Sequence, residues 1–205
     1  MKKLFADRPR IHVIVVLVCS GLAALTFFNT DLSAKTDRRG MDRLFSIVGV
    51  IKVPPAEDPV RINLKDMNGK NISLSDFKGK IVFLNFWTTW CPTCRIEMPS
   101  MEKLHQKLKN KDFAMVTINL QESASQVKSF FEEFKLTFTA LLDPTGEIGA
   151  LFGIRAIPTT YILDKTGKII GMVNGPREWD SKASITLFEN LIDNDAVAAS
   201  TEESN

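Results

Sequence analysis

Ile81-Val82-Phe83-Leu84-Asn85-Phe86-Trp87-Thr88-Thr89-Trp90-Cys91-Pro92-Thr93-Cys94 is the stretch on which the fold turns. Its first seven residues are apolar at every position but Asn85, a pattern that suits a strand buried on both faces, as in the centre of a mixed or parallel sheet. Beyond it Ile96, Met98, Met101, Leu104 and Leu108 recur at helical spacing with lysines opposite, which predicts an amphipathic helix over Cys94 to Leu108. Two thiols therefore sit where a buried strand meets a helix. Three positions span about one helical turn, so the sulfurs can meet if Cys91 lies at the helix N-terminus. Free N–H groups and the helix dipole stabilise a thiolate there, which lowers the pKa of Cys91 and makes it the nucleophile. Cys94 becomes the resolving thiol, and Pro92 loses nothing at a helix start, where its missing N–H has no intrahelical partner.

Working outward, Val60 to Leu64 and Ile72 to Leu74 flank Asp66-Met67-Asn68-Gly69 and predict a hairpin. Phe113 to Leu120 is a second long strand. Ser125 to Phe134 is a helix with Val127, Phe130, Phe131 and Phe134 as its apolar stripe. Strands are expected at Thr139 to Leu142, Thr160 to Leu163 and Ile169 to Val173, the last two joined by Asp164-Lys165-Thr166-Gly167, and a closing helix at about Ser181 to Ile192. Alternating strands and helices imply an α/β protein with a central mixed sheet flanked by helices, the late hairpin giving it an antiparallel edge.

The chain of 205 residues has room for one domain and an attachment. With 44% hydrophobic and 24% charged residues, it is neither disordered nor a multi-span membrane protein. Lys2, Lys3, Arg8 and Arg10 precede the apolar run Ile11 to Phe28. Its length fits a spanning helix, and the basic flank places residues 1–10 in the cytoplasm and the rest outside. Residues 11–28 are thus expected to be a transmembrane signal anchor, 29–59 a linker, 60–192 the folded domain and 193–205 a disordered tail. A cleaved secretory signal is the alternative, but Leu32-Ser33-Ala34 is a poor cleavage site. Residues 31 onward are nearly neutral, which argues against nucleic acid as a partner.

A structural zinc site would need four ligands, and beyond the pair only Cys19 and His12 in the expected anchor and the lone His105 remain, so the second pair is missing and no metal is expected. An inert disulfide closing so small a loop would constrain the unfolded chain little. Redox exchange is the remaining use. No Gly-rich phosphate loop occurs, so neither nucleotide nor flavin is implied and no cofactor is expected. His105, on a lysine-rich helix, is expected in solvent. Trp87 is expected in the core and Trp90 at a contact surface.

Residues 60–192 resemble the thioredoxin fold and, within it, the membrane-anchored thiol-disulfide oxidoreductases of the TlpA/ResA group. The likeness rests on Lys78 to Pro99, on Gly153-Ile154-Arg155-Ala156-Ile157-Pro158-Thr159-Thr160, and on Gly175-Pro176-Arg177-Glu178-Trp179. It implies that Pro158 follows a cis peptide bond and faces the cysteines, leaving the backbone of Ile157 free to pair with a substrate chain. Asn85 stands where thioredoxin has a buried Asp, as in the TlpA/ResA group. Glu97, one turn beyond Cys94, matches an acidic residue of that group and is the candidate proton acceptor for Cys94; the alternative is a solvated helix carboxylate. Catalytic candidates are thus Cys91, Cys94, Glu97 and Pro158, with Trp90, Pro92, Thr93 and Ile157 contacting substrate.

The resemblance further implies reduction of disulfides in extracytoplasmic proteins such as apocytochrome c or copper-site proteins, with recharging by a membrane thiol transporter. Localisation would be the bacterial inner membrane, single-pass, with the domain on the periplasmic or extracytoplasmic side. A rival reading is a chaperone-like client-binding module whose disulfide is a conformational lock.

Overall fold

The computed structural model describes residues 39–54 and 58–193. The expected cytoplasmic N-terminus, the anchor at 11–28 and all of the expected tail at 193–205 except Asp193, which ends the last helix, lie outside them. Among the described residues no helix is long and apolar enough to cross a membrane. The chain divides into two units between Asp42 and Arg43, and the fold below is that of the second.

Within this unit residues 43–48 are helical (α1) and are followed by the short strand β1 (Ile51–Lys52). Next come the hairpin β2 (Asn63–Asp66) and β3 (Asn71–Ser73), a 3-10 turn (Leu74–Phe77), β4 (Ile81–Trp87), α2 (Pro92–Leu108), β5 (Phe113–Leu120) and α3 (Ala124–Phe134). The chain closes with β6 (Thr139–Asp143), α4 (Glu147–Leu151), β7 (Thr159–Leu163), β8 (Ile169–Asn174) and α5 (Lys182–Asp193). One sheet runs in the order β1-β8-β7-β4-β5-β6-β2-β3. Strands β4, β5 and β6 are parallel, and every other pair is antiparallel.

All seven residues of β4 are buried, because both faces of this central strand are covered. Val82, Leu84 and Phe86 join Val116, Ile118, Ile62, Leu74 and Leu141 in one apolar layer. On the other face Phe83 meets Trp179 edge-on at 4.7 Å between ring centroids and also Phe188 of α5, while Trp87 meets Phe130 and Phe131 of α3. Asn85 lies between them in the same pleat, which aims it at the helix side.

Several expectations are corrected. The stretch expected as linker enters the sheet, because Ile51 and Lys52 pair with Met172 and Gly171. The late hairpin β7–β8 is therefore not the edge. The first hairpin is shifted toward its turn: Asp66 Oδ1 accepts from the N–H of Asn68 and of Lys70, and Val60 instead bonds the Gly167 carbonyl. Helix α4 was not legible because it is five residues long, opens on Gly146 with φ 77° and contains Gly149. Helix α3 begins one residue early, with Ser123 and Gln126 forming a capping box. His105, expected in solvent, is half-buried against the Phe138 ring, and desolvation lowers its pKa.

Candidate active site

The end of β4 delivers the chain to the two cysteines, and α2 begins at once. Cys91 is the N-cap, with the Cys94 N–H 3.3 Å from its sulfur, and Pro92 occupies the first helical turn. Cys91 and Cys94 are joined as a disulfide with Cα atoms 5.3 Å apart, and both are buried. Thr93 Oγ1 lies 3.3 Å from the Cys91 sulfur. Across the site the Ile157–Pro158 bond is cis, and the Ile157 carbonyl oxygen is 3.9 Å from the same sulfur. Pro92, Thr93 and Trp90 are exposed, Trp90 by 69%, so surface residues flank the buried disulfide.

One helical turn beyond Cys94 lies a buried carboxylate. Glu97 is 1% exposed, which removes the solvated-helix alternative. Its Oε1 accepts from Asn85 Nδ2 at 3.1 Å, and its Oε2 from Trp179 Nε1 at 2.9 Å and Arg177 N–H at 3.2 Å. Asn85 Nδ2 also donates to Thr160 Oγ1 at 2.9 Å, tying the acid to the strand that follows Pro158. Desolvation raises the Glu97 pKa to about 7 against the opposing pull of the Trp179, Arg177 and Asn85 hydrogen bonds and the Arg177 charge. A carboxyl group poised near neutrality, one turn from Cys94, can exchange a proton in the range where thiols need it.

Residues 52–187 match the Redoxin family. A thiol-disulfide oxidoreductase ResA of Bacillus thuringiensis subsp. konkukian is 43% identical over 85% of this chain and 91% of its own length. One from Bacillus cereus is 34% identical over the same shares. The crystal structure of StoA from Bacillus subtilis superposes with a TM-score of 0.55 at 30% identity, covering 64% of this chain and 99% of that one. This chain belongs to the Redoxin family, among its ResA/TlpA-like members. As a ResA/TlpA-like protein it is a thiol-disulfide oxidoreductase with a thioredoxin-like fold, and Cys91-Pro92-Thr93-Cys94 is its redox pair.

Of the eight expected site residues of this ResA/TlpA-like oxidoreductase, Cys91 and Cys94 form the disulfide, Thr93 and Ile157 approach the Cys91 sulfur, Trp90, Pro92 and Pro158 adjoin these residues in the chain, and Glu97 is buried one helical turn beyond Cys94. Sequence reasoning gave no role to a second buried carboxylate, Glu122. Its Oε2 accepts from Thr89 N–H at 2.7 Å and Asn119 Nδ2 at 2.6 Å, and its Oε1 from Thr89 Oγ1. Arg95 Nη1 donates to the Thr89 carbonyl at 3.2 Å while its guanidinium lies over the Phe130 and Phe134 rings. Nor did it assign Arg177 and Trp179, although the segment Gly175 to Trp179 stood out. Among the described residues no group of three or more His, Cys, Asp or Glu is placed to hold a metal ion.

Proposed function

We propose that this oxidoreductase reduces disulfides of proteins outside the cytoplasm, with apocytochrome c and copper-site proteins as the client class. The observation that carries the reading is the setting of Cys91. Its sulfur is at a helix N-cap, bonded to a buried Cys94 and 3.9 Å from the Ile157 carbonyl oxygen, with Trp90, Pro92 and Thr93 exposed beside it. Residues 11–28 anchor the domain in the bacterial inner membrane, facing the periplasmic or extracytoplasmic side; the support is the basic flank and length of that apolar run. In such an oxidising compartment a reductant is what cysteine-bearing clients require.

A client strand lies between Trp90-Pro92-Thr93 and Ile157-Pro158, pairing with the Ile157 backbone. In the reduced enzyme the Cys91 thiolate, held by the Cys94 N–H, the Thr93 hydroxyl and the helix dipole, attacks one client sulfur. The client S–S bond breaks, its second sulfur leaves as a thiolate and takes a proton, and a mixed disulfide remains. Cys94 then gives its proton to the Glu97 carboxylate and attacks Cys91, releasing the first client sulfur, which is protonated in turn. The client gains two electrons, and the Cys91–Cys94 disulfide forms. A membrane thiol transporter returns the two electrons from its own dithiol.

Cys94→Ser is expected to arrest the enzyme as a mixed disulfide through Cys91, which reducing and non-reducing gels with mass spectrometry would reveal. Client reduction should be lost in Cys91→Ser. Its cellular role should be lost with it; if that variant keeps both client binding and cellular role, the protein is a binding module and the catalytic reading fails.

A further inference from the structure

The Gly175 to Trp179 segment wraps the buried acid. Arg177 N–H and Trp179 Nε1 both donate to Glu97 Oε2, and Ser100 Oγ bonds the Arg177 carbonyl and receives the Trp179 N–H at 3.1 Å. The Arg177 side chain runs in the opposite direction. Its Nε donates to the Val48 carbonyl at 3.1 Å and its Nη1 to the Pro176 carbonyl at 2.8 Å. Val48 is the last residue of α1, whose end is built to leave that carbonyl available. Gly49, at φ 77°, donates its N–H to Ser46 O, and Val50 donates to Phe45 O, the paired bonds of a Schellman cap. The Val48 carbonyl takes the guanidinium instead, a cation at a helix C-terminus. A Cβ on Gly49 would stand 3.0 Å from Arg177 Nη2 and 3.1 Å from its Nε, so the missing side chain is what lets the guanidinium lie on this turn. Phe45, Val48 and Val50 are buried, which seats the turn.

We propose that Arg177 is a positioning residue that couples the seating of residues 45–50 to the protonation of Glu97, and through it to the resolving step at Cys94. This rests on the reading of Glu97 as acceptor of the Cys94 proton. After desolvation and the hydrogen bonds from Trp179, Arg177 N–H and Asn85, the guanidinium adds the last, positive-charge contribution favouring the Glu97 carboxylate, and the Val48 and Pro176 carbonyls fix where that charge lies. Asn85 on β4, Thr160 on β7 and Trp179 are neutral, and Cys94 is the titratable group one turn away on α2. Arg177 is thus the charge that the N-terminal turn can move. When the turn lifts, the guanidinium follows it or swings into water, the field at Glu97 weakens, and its proton is held more tightly. Because the chain ahead of this turn leads to the apolar run Ile11 to Phe28, strain on the N-terminal segment reaches the thiols by this route.

The test uses the full chain. The pH dependence of the Trp179 indole N–H resonance and of single-turnover resolution are followed in the parent, Glu97→Gln, Arg177→Gln and Gly49→Ala. Amide exchange over residues 45–50 is measured alongside. The parent is expected to titrate near neutrality and Glu97→Gln to lose that titration. In Arg177→Gln and Gly49→Ala the midpoint should rise above that of the parent, with faster exchange over 45–50. If Gly49→Ala does not fold, Gly49→Asn, which tolerates positive φ yet carries a Cβ, replaces it. An unmoved midpoint in either variant, or exchange over 45–50 unaffected by loss of the guanidinium, overturns the coupling while leaving the role of Glu97 standing. A titration that persists in Glu97→Gln overturns that role and the coupling with it.

Discussion

Glu97 makes stability depend on pH in a direction opposite to that of most carboxylates. Its carboxyl titrates near 4.5 when unfolded and near 7 in the native state, so between these values the native protein holds a proton that unfolding releases. The stabilisation is full below pH 4.5 and is lost as pH rises through 7. The loss amounts to about 3 kcal/mol. Urea unfolding of the oxidised protein at pH 5 and pH 8 should therefore show a drop in the parent that is largely absent in Glu97→Gln. Parallel losses in the two proteins would mean that the acid is not held protonated. At this scale the sequence showed Cys91, Cys94, Pro158 and Glu97, because each sits in a local motif. It could not show Arg177 and Trp179 closing on Glu97 from 80 and 82 positions away, since contacts made by the fold leave no spacing in the chain.

Between β4 and α2 the turn at Thr88–Trp90 has its own scaffold. Every polar group of Thr89 is engaged: its N–H and hydroxyl by Glu122, its carbonyl by Arg95. Arg95 is itself held over the rings of α3 and by Glu133 at 2.9 Å, so α3 and the end of β5 together fix the turn that presents Trp90. Ile96, 73% exposed, stands on the first turns of α2 and extends the apolar surface. Glu122→Ala leaves buried donors unpaired and should cost about 1–3 kcal/mol. It should also raise KM for a protein disulfide more than it lowers kcat, with altered acrylamide quenching of Trp90, since Trp87 and Trp179 are buried. Glu122→Gln should recover most of this, because Thr89 N–H and Asn119 Nδ2 share a single oxygen of the carboxylate. A KM unchanged in Glu122→Ala would show that the turn needs no such support. The long elements were readable because burial on both faces of β4 and on one stripe of α2 and α3 writes a periodicity. Helix α4 and the two-residue β1 are too short to carry one.

Across the molecule, the sheet is extended by a segment that its composition marks as a connector. Strand β1 covers β8, and behind it Gly171 approaches so closely that a Cβ would lie 2.5 Å from Val50 Cγ1 and 3.2 Å from the Phe45 ring. Pro54 and the polar residues that follow hid this, since proline-dense sequence is ordinarily a spacer. A chain beginning at Val60, the boundary suggested by sequence, would still contain β2 to α5 and both cysteines. It would lose the burial of Phe45, Val48 and Val50, each worth up to about 1.5–3 kcal/mol before the ordering cost of some ten residues is subtracted. It would also turn β8 into an uncovered edge, the usual template for intermolecular pairing. Compared with a chain beginning at Arg43, the shorter protein should unfold at lower urea, by about 1 kcal/mol or more, and self-associate on concentration. Equal unfolding midpoints and a monomeric shorter chain would show that the sheet is complete without its first strand. The expected result instead makes residues 43–52 part of the domain, so that whatever holds the N-terminal segment also holds the oxidoreductase fold.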